Sequence, residues 1–127
     1  MCFVVFIALL LSALDLGQML FFHQALVERV RDAVRWQSVH PYNADQVVNM
    51  VLYRSTTDPG GGASGFLGMT RANVEVLYVA GTTLNPNDER IKVTIRNYRY
   101  SFFSPWVAGS FVDANPITES APMFYKP

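Results

Sequence analysis

The sequence predicts an α+β protein in which a long N-terminal apolar helix continues as an amphipathic stalk packed on a small antiparallel β-sheet. Residues 1–36 contain no proline and a single glycine, so nothing in them interrupts a helix. The ten basic and ten acidic residues balance, but only one of them, Asp15, lies within residues 1–27. Segments further along the chain alternate apolar with polar residues, as half-buried strands do.

These features divide the chain into two parts. Residues 1–36 are predicted to form a transmembrane or assembly helix with its stalk, and residues 37–127 an α+β head domain. A segment of that size suffices for one independently folding core. The zero net charge gives no reason to expect attraction to nucleic acid, so we predict no nucleic-acid partner.

The first 22 residues are long and apolar enough to cross a bilayer. As a helix they extend about 33 Å at ~1.5 Å per residue, which exceeds the ~30 Å hydrocarbon core. Residues 3–22 include thirteen Phe, Val, Ile or Leu, which together favour insertion by roughly 4 to 8 kcal/mol. Asp15 opposes insertion by roughly 2.5 to 3.5 kcal/mol, so the balance still favours the membrane.

A short polar stripe interrupts the apolar helix. Ser12, Asp15 and Gln18 follow one another at a spacing of three residues and therefore share a face. One interpretation is that Asp15 lies near the edge of the bilayer and is hydrated. The other is that this face packs against copies of the same helix or related helices, where the stripe finds hydrogen bonds. We take the stripe as a candidate site for subunit packing.

Residues 23–36 carry a second pattern, which is typical of an amphipathic helix lying on a core. Apolar residues recur at helical spacing on one face, and charged residues occupy the rest of the surface. We expect this stalk face to contact the head domain. It consists of Leu26, Val30, Ala33 and Val34.

The head is predicted to begin with a short helix from about Ala44 to Tyr53. Pro41 ends the first helix, and the side chain of Asn43 is suited to cap the second. The glycine-rich segment "TTDPGGGASG" (56–65) lacks the Gly-Lys-Ser/Thr ending of a phosphate-binding loop. We therefore expect a mobile surface loop there.

Three segments are predicted to form the sheet. "NVEVLYVAGTT" and "RIKVTIRNYRYSFF" alternate apolar and polar residues on either side of an "NPND" turn, and "PITESAPMFY" is expected to supply a third strand. The parity of the apolar residues switches after Ile95. We expect either a bulge near Asn97 or a sheet end that is covered on both faces.

An aromatic segment follows the second predicted strand. Its large side chains are more apolar surface than a sheet of this size needs, and exposed apolar patches usually mark contacts. We expect some of them to touch a neighbouring subunit. The candidates are Phe102, Phe103, Trp106 and Phe111.

The sequence offers no catalytic or metal-binding constellation. Cys2 is the only cysteine, so an intrachain disulfide is impossible. His23 and His40 have no cysteine or carboxylate at ligand spacing. We therefore predict no enzymatic activity, no catalytic residue, no metal and no cofactor.

The helix and stalk resemble the TadE-like family, the pilin-related membrane proteins of tight-adherence (type IVc, Flp) pilus systems. The similar segment is "LDLGQMLFFHQALVERVRDAVRW", and the later "IKVTIRNYRYSFFSPW" and "ITESAPM" are similar in kind to the family's C-terminal strands. The resemblance implies a pilin-like fold and a head outside the cytoplasm. The residues that carry it are Asp15, Gly17, Gln18, Gln24, Ala25, Leu26, Arg31, Ala33 and Arg35.

The start of the chain departs from the pattern of pilin-like precursors. That pattern has a basic leader, a Gly before the cleavage point and an early Glu, whereas this sequence has no Gly before Gly17 and no Glu before Glu28. Three arginines follow the apolar run within residues 29–35, and the positive-inside rule alone would place the head in the cytoplasm. The orientation that the resemblance implies requires positive charge upstream of Met1.

Three functions from different classes fit these features. The leading hypothesis is a structural pilin-like subunit of an extracellular tight-adherence pilus, assembled by packing of N-terminal helices. Its partners would be copies of itself or related pilins, and it would lie in the bacterial inner membrane, with its head outside the cytoplasm, before joining the filament. The second is a non-polymerising single-pass membrane protein that acts in pilus assembly or adhesion. The third is a secreted ligand-binding module with an atypical signal peptide.

We predict that the genomic reading frame continues upstream of Met1 and encodes Lys or Arg, a Gly and then a Glu. The physical reason is that an outward-facing head requires basic residues on the cytoplasmic side of the apolar run. Sequencing the upstream DNA in frame tests this. A stop codon directly upstream, together with a formyl-methionine start in mass spectrometry, would contradict it.

Overall fold

A computed structural model describes residues 1–85, 87–98 and 116–125 of the chain. Over these residues the chain has a long N-terminal apolar helix and a three-stranded antiparallel sheet, which confirms the predicted α+β layout. The elements in chain order are helix α1 (Cys2–Ser38), helix α2 (Ala44–Tyr53), two short 3₁₀ turns (Phe66–Gly68 and Arg71–Asn73), and strands β1 (Val74–Val79), β2 (Arg90–Ile95) and β3 (Ile117–Pro122).

The joint between α1 and α2 is held by one buried amide. Gln37 is fully buried, and its Nε2 donates to the carbonyl oxygens of His40 at 3.1 Å and Pro41 at 2.7 Å. Its Oε1 accepts from the backbone N–H of Asn43 at 3.2 Å. The side chain thus satisfies backbone groups that the end of α1 and the proline leave without helical partners. No local pattern in the sequence predicts this role for Gln37.

Helix α2 begins and ends as its sequence predicts. The Oδ1 of Asn43 accepts hydrogen bonds from the backbone N–H groups of Asp45 and Gln46, at 3.1 and 3.2 Å, so Asn43 is the N-cap. At the other end Arg54 adopts the left-handed conformation, with φ of 55°, and its N–H bonds the carbonyl of Met50. This C-cap stops the helix and turns the chain toward the glycine-rich loop.

Strand β2 lies in the centre of the sheet, with β1 and β3 antiparallel on either side of it. Ile91, Val93 and Ile95 are fully buried, as their alternation predicts. The opposite parity is not uniformly exposed, because Thr94 is also buried and its hydroxyl lies 3.1 Å from that of Thr118 on β3. This pair joins the two strands through side chains in addition to the backbone ladder.

In the described residues, the second predicted strand is paired over Arg90–Ile95. Pairing ends at Ile95, and Asn97 then adopts a left-handed conformation with φ of 55°. Tyr98 is nevertheless buried. The change of parity therefore begins just beyond the last paired residue of β2, at a buried position. Residues 99–115, over which the prediction extended, lie outside the described residues.

The core lies between the second half of α1, helix α2 and the sheet. Helix α1 contacts strands β3 and β2 of the sheet and also helix α2. The predicted stalk face lies at the centre of this core, with exposed fractions of 0 to 2%: Leu26, Val30, Ala33 and Val34. Around it are the apolar residues of α2 and of the sheet, including Val47, Val51, Leu52, Ile91, Val93 and Ile95.

We predict that Leu26→Ala lowers the free energy of unfolding by about 2–5 kcal/mol, because it leaves a cavity in a closely packed core. Leu20→Ala is the matched control on the same helix, since Leu20 is 66% exposed. Denaturant unfolding of the full chain in detergent micelles, followed by circular dichroism, measures both. Equal losses in the two variants would contradict the placement of the stalk face in the core.

Candidate functional site

Most side chains in the first part of α1 are exposed, and most of the exposed ones are apolar. Of residues 1–25, Asp15 alone is buried. Large side chains such as Phe3, Leu9 and Phe21 are 66 to 73% exposed. The helix is long and apolar enough to cross a membrane. Exposed apolar surfaces of this size usually mark sites of contact with a membrane or with other proteins.

The structure gives the three residues of the polar stripe different surroundings. Ser12 is half-buried, and its hydroxyl donates to the carbonyl of Ala8 at 2.9 Å within the helix. Asp15 is 1% exposed and takes part in an interaction within the chain. Gln18 is exposed. The stripe is therefore partly satisfied inside a single chain, and Gln18 is its outward-facing member.

A groove lies at the base of the head, where α1 passes from its apolar part into the core. We call it the basal groove, and its volume is about 310 Å³. Three elements meet there: α1, the C-cap of α2 and the first 3₁₀ turn. The lining residues are Phe21, Gln24, Ala25, Glu28, Arg29, Arg54 and Phe66.

Arg29 is the central charged residue of the basal groove. Its guanidinium carbon lies 4.0 Å from the centroid of the Phe66 ring, a cation–π contact. Its Nη1 lies 3.4 Å from the carbonyl oxygen of Val51. Partial burial, and secondly repulsion from Arg54, lower the pKa of Arg29 from its usual value. Because arginine pKa values lie so far above neutrality, the group remains a cation.

Phe66 connects the basal groove with the apolar part of α1. Its ring packs edge-on against Phe22 with the centroids 6.3 Å apart, and Phe22 packs edge-on against Phe21 at 5.9 Å. These rings form a continuous aromatic contact from the last residues of the apolar segment to the guanidinium of Arg29. The charge of Arg29 is therefore held close to the apolar surface.

Gly65 allows Phe66 to reach this position. A Cβ atom at Gly65 would lie 2.8 Å from both Cδ2 of Leu52 and the carbonyl oxygen of Met69, so no larger residue fits without displacement. The preceding loop lies at the surface, as expected, and Gly60, Gly61 and Gly62 all have positive φ values. The glycines thus allow backbone conformations and a close approach to α2 that residues with a side chain would not allow.

The other residues singled out in the sequence fall elsewhere. His23 is exposed, and His40 stacks on Trp36 with the ring centroids 4.2 Å apart. Among the residues that the structure describes, no group of three His, Cys, Asp or Glu is arranged to hold a metal ion. The aromatic subunit-contact candidates lie outside the described residues: Phe102, Phe103, Trp106 and Phe111.

Sequence reasoning missed the basal groove. The sequence predicts only a positive charge beside the membrane for Arg29, and it predicts no role for Arg54 or Phe66. Arg54 and Phe66 lie 25 and 37 positions beyond Arg29, and no local pattern links the three. The available signal is the position of Arg29, about two helical turns beyond the last aromatic residues of the apolar run.

Comparison with known proteins found no matching family model, no matching curated protein and no matching solved structure. The geometry of this chain is therefore the basis for assigning a function to it. That geometry is an α+β head built onto the second half of an N-terminal helix whose first half is able to cross a membrane.

We predict that Gly65→Ala lowers the free energy of unfolding by about 1–3 kcal/mol, because the new methyl group overlaps Leu52 and the Met69 carbonyl. Gly17→Ala is the control: no atom lies within 4 Å of a Cβ built there, and alanine is the better helix former. Denaturant unfolding in micelles measures both variants. An unchanged stability for Gly65→Ala would show that the 3₁₀ turn shifts freely.

Proposed function

We propose that this chain is a structural pilin-like subunit of an extracellular tight-adherence filament, held in the inner membrane by the first half of α1 until helices pack together. The observation that carries the proposal is the continuity of α1. One unbroken helix runs from Cys2 to Ser38, apolar and uncovered at its start and built into the head core at its end.

The uncovered part of α1 supports assembly through that helix. Burying one large apolar side chain stabilises a protein by about 1.5–3 kcal/mol. The exposed side chains of residues 1–25 therefore provide a strong driving force for contact with lipid, and an equivalent apolar environment is available from neighbouring helices. A subunit that exchanges lipid for helix contacts needs no change in its head.

The buried part of α1 argues against a cleaved signal peptide. Leu26, Val30 and Val34 belong to the head core, and the helix reaches them without a break. A cut within or just after the apolar run would leave the new terminus close to the core, whereas secretory signals precede the folded domain that they deliver. This supports a mature protein that retains the whole helix, and it argues against the secreted ligand-binding module.

Asp15 favours a second candidate function, a single-pass membrane protein that acts in pilus assembly or adhesion and does not polymerise. The carboxylate is 1% exposed within one chain and is engaged there. An acidic group satisfied in this way does not require neighbouring copies. In that case α1 would remain surrounded by lipid throughout the life of the protein.

We predict that Asp15→Ala still reaches the membrane but lowers the yield of filaments several-fold, because truncating a buried, engaged carboxylate removes contacts within the chain that position this part of α1. Insertion should not suffer, since the variant is more apolar. Membrane fractionation and counting of filaments by negative-stain microscopy measure the two effects in cells that make the filament.

Two matched variants sharpen this test. Asp15→Asn keeps the shape and most of the hydrogen-bonding capacity of the side chain, so it should retain more filaments than Asp15→Ala. Gln18→Ala changes the exposed member of the stripe and reports on contacts between chains. Normal filaments from both Asp15→Ala and Gln18→Ala would remove the stripe from the packing surface. Chains that remain in the membrane and never enter filaments would support the second candidate.

A further inference from the structure

The basal groove contains two cationic side chains and borders the exposed apolar surface of α1. Arg29 and Arg54 line the same groove, and their mutual repulsion contributes to the lowered pKa of Arg29. The bond from Arg54 to Asp32, 3.3 Å long, joins two side chains that are 60% and 55% exposed. Such exposed pairs contribute little free energy. The guanidinium of Arg54, with five N–H donors, is able to bind a further acceptor.

The basal groove also lies at the depth of lipid headgroups when α1 spans a bilayer. With residues 1–22 in the hydrocarbon core, the backbone of Arg29 lies about 10 Å beyond Phe22. Headgroup layers extend about 5–8 Å beyond the hydrocarbon on each side. Helical side chains point back toward the N-terminus, which moves the guanidinium of Arg29 toward the membrane. Its contact with Phe66, which itself touches Phe22, holds it there.

We propose that the basal groove binds the phosphate of a membrane phospholipid, with Arg29 and Arg54 as the phosphate ligands. Guanidinium groups match phosphate oxygens in charge and in geometry. The volume of about 310 Å³ is that of a small-ligand site. The acyl chains would continue along the exposed apolar surface of α1 beside Phe21, which borders the same groove.

The remaining polar residues of the basal groove suit the group attached to that phosphate. Glu28 and Gln24 are exposed and line the groove beside the arginines. A carboxylate and an amide there accept hydrogen bonds from the ammonium of an ethanolamine headgroup or from the hydroxyls of a glycerol headgroup. A bare choline trimethylammonium offers no such donors. The groove therefore favours ethanolamine and glycerol phospholipids over choline phospholipids.

This inference depends on the membrane-spanning part of the proposed function and is independent of filament formation. Phosphodiester headgroups occur in both leaflets, so it holds for either orientation of the head. If the groove binds a lipid phosphate, the head contacts the membrane surface through this polar site in addition to its anchoring by α1.

Native mass spectrometry of the full chain, released from nanodiscs of defined lipid, tests the proposal. We expect one retained phosphatidylethanolamine or phosphatidylglycerol per chain. Arg54→Gln should reduce retention about ten-fold, since a hydrogen bond to a charged group contributes roughly that factor. Arg29→Gln should do the same, but Arg29 also packs on Phe66, so Arg54→Gln is the variant that preserves the fold. Arg35→Gln is the matched control. It also replaces one arginine by glutamine and removes one positive charge, but Arg35 lies on α1 and does not line the groove.

The possible results distinguish failure of the phosphate site from failure of the membrane-anchored function. Equal lipid retention by wild type, Arg54→Gln and Arg35→Gln overturns the phosphate site. The lipid proposal is also overturned if inorganic phosphate binds the lipid-free chain in detergent as tightly as the lipid does. In that case the apolar surface of α1 beside the groove would contribute nothing to binding. Loss of retention in Arg54→Gln alone, with the chain still in the nanodisc, supports it. A chain that does not enter nanodiscs at all overturns both this site and the membrane-anchored function.

Discussion

One helix lies in two different environments, and the rest of the structure depends on that constraint. The backbone hydrogen bonds of α1 continue without interruption from the exposed apolar segment to the core positions Leu26 and Val30. A flexible linker would leave the head free to reorient. The continuous helix couples the two parts, so the packing of the sheet on α1 sets how the head stands relative to whatever surrounds the apolar segment.

The exposed apolar segment of α1 and its buried segment are separated by about two turns of helix. The polar residues of the basal groove lie at this boundary. Below that level the surface of α1 is apolar and exposed, and above it Leu26 is fully buried. Arg29 lies at the boundary, partly buried and stacked on Phe66. Its position depends on the C-cap of α2 and on a 3₁₀ turn that passes close to Leu52 at Gly65. The groove is thus a product of three elements meeting at the base of the head.

Local chemistry accounts for the parts of the fold that could be predicted. An asparagine before an apolar helical run predicts an N-cap, and Asn43 fills that role because capping involves only neighbouring backbone N–H groups. Alternation of apolar residues predicts the buried face of β2 because side chains alternate along any strand. The same rule does not account for Tyr98, which follows the left-handed residue Asn97 and is buried although its parity is opposite to that of Ile95.

The sequence by itself determined the membrane-capable helix, the stalk face, the second helix and the strands of the sheet, because each follows from periodicity or capping within a short segment. Only the tertiary structure decided the surroundings of Asp15, the joint made by Gln37 and the basal groove. Asp15 and Gln18 share a helix face and differ in burial, and Gln37 bonds backbone groups around a turn. Arg29, Arg54 and Phe66 meet from separate elements. Contacts of this kind depend on how elements pack, which no local pattern records.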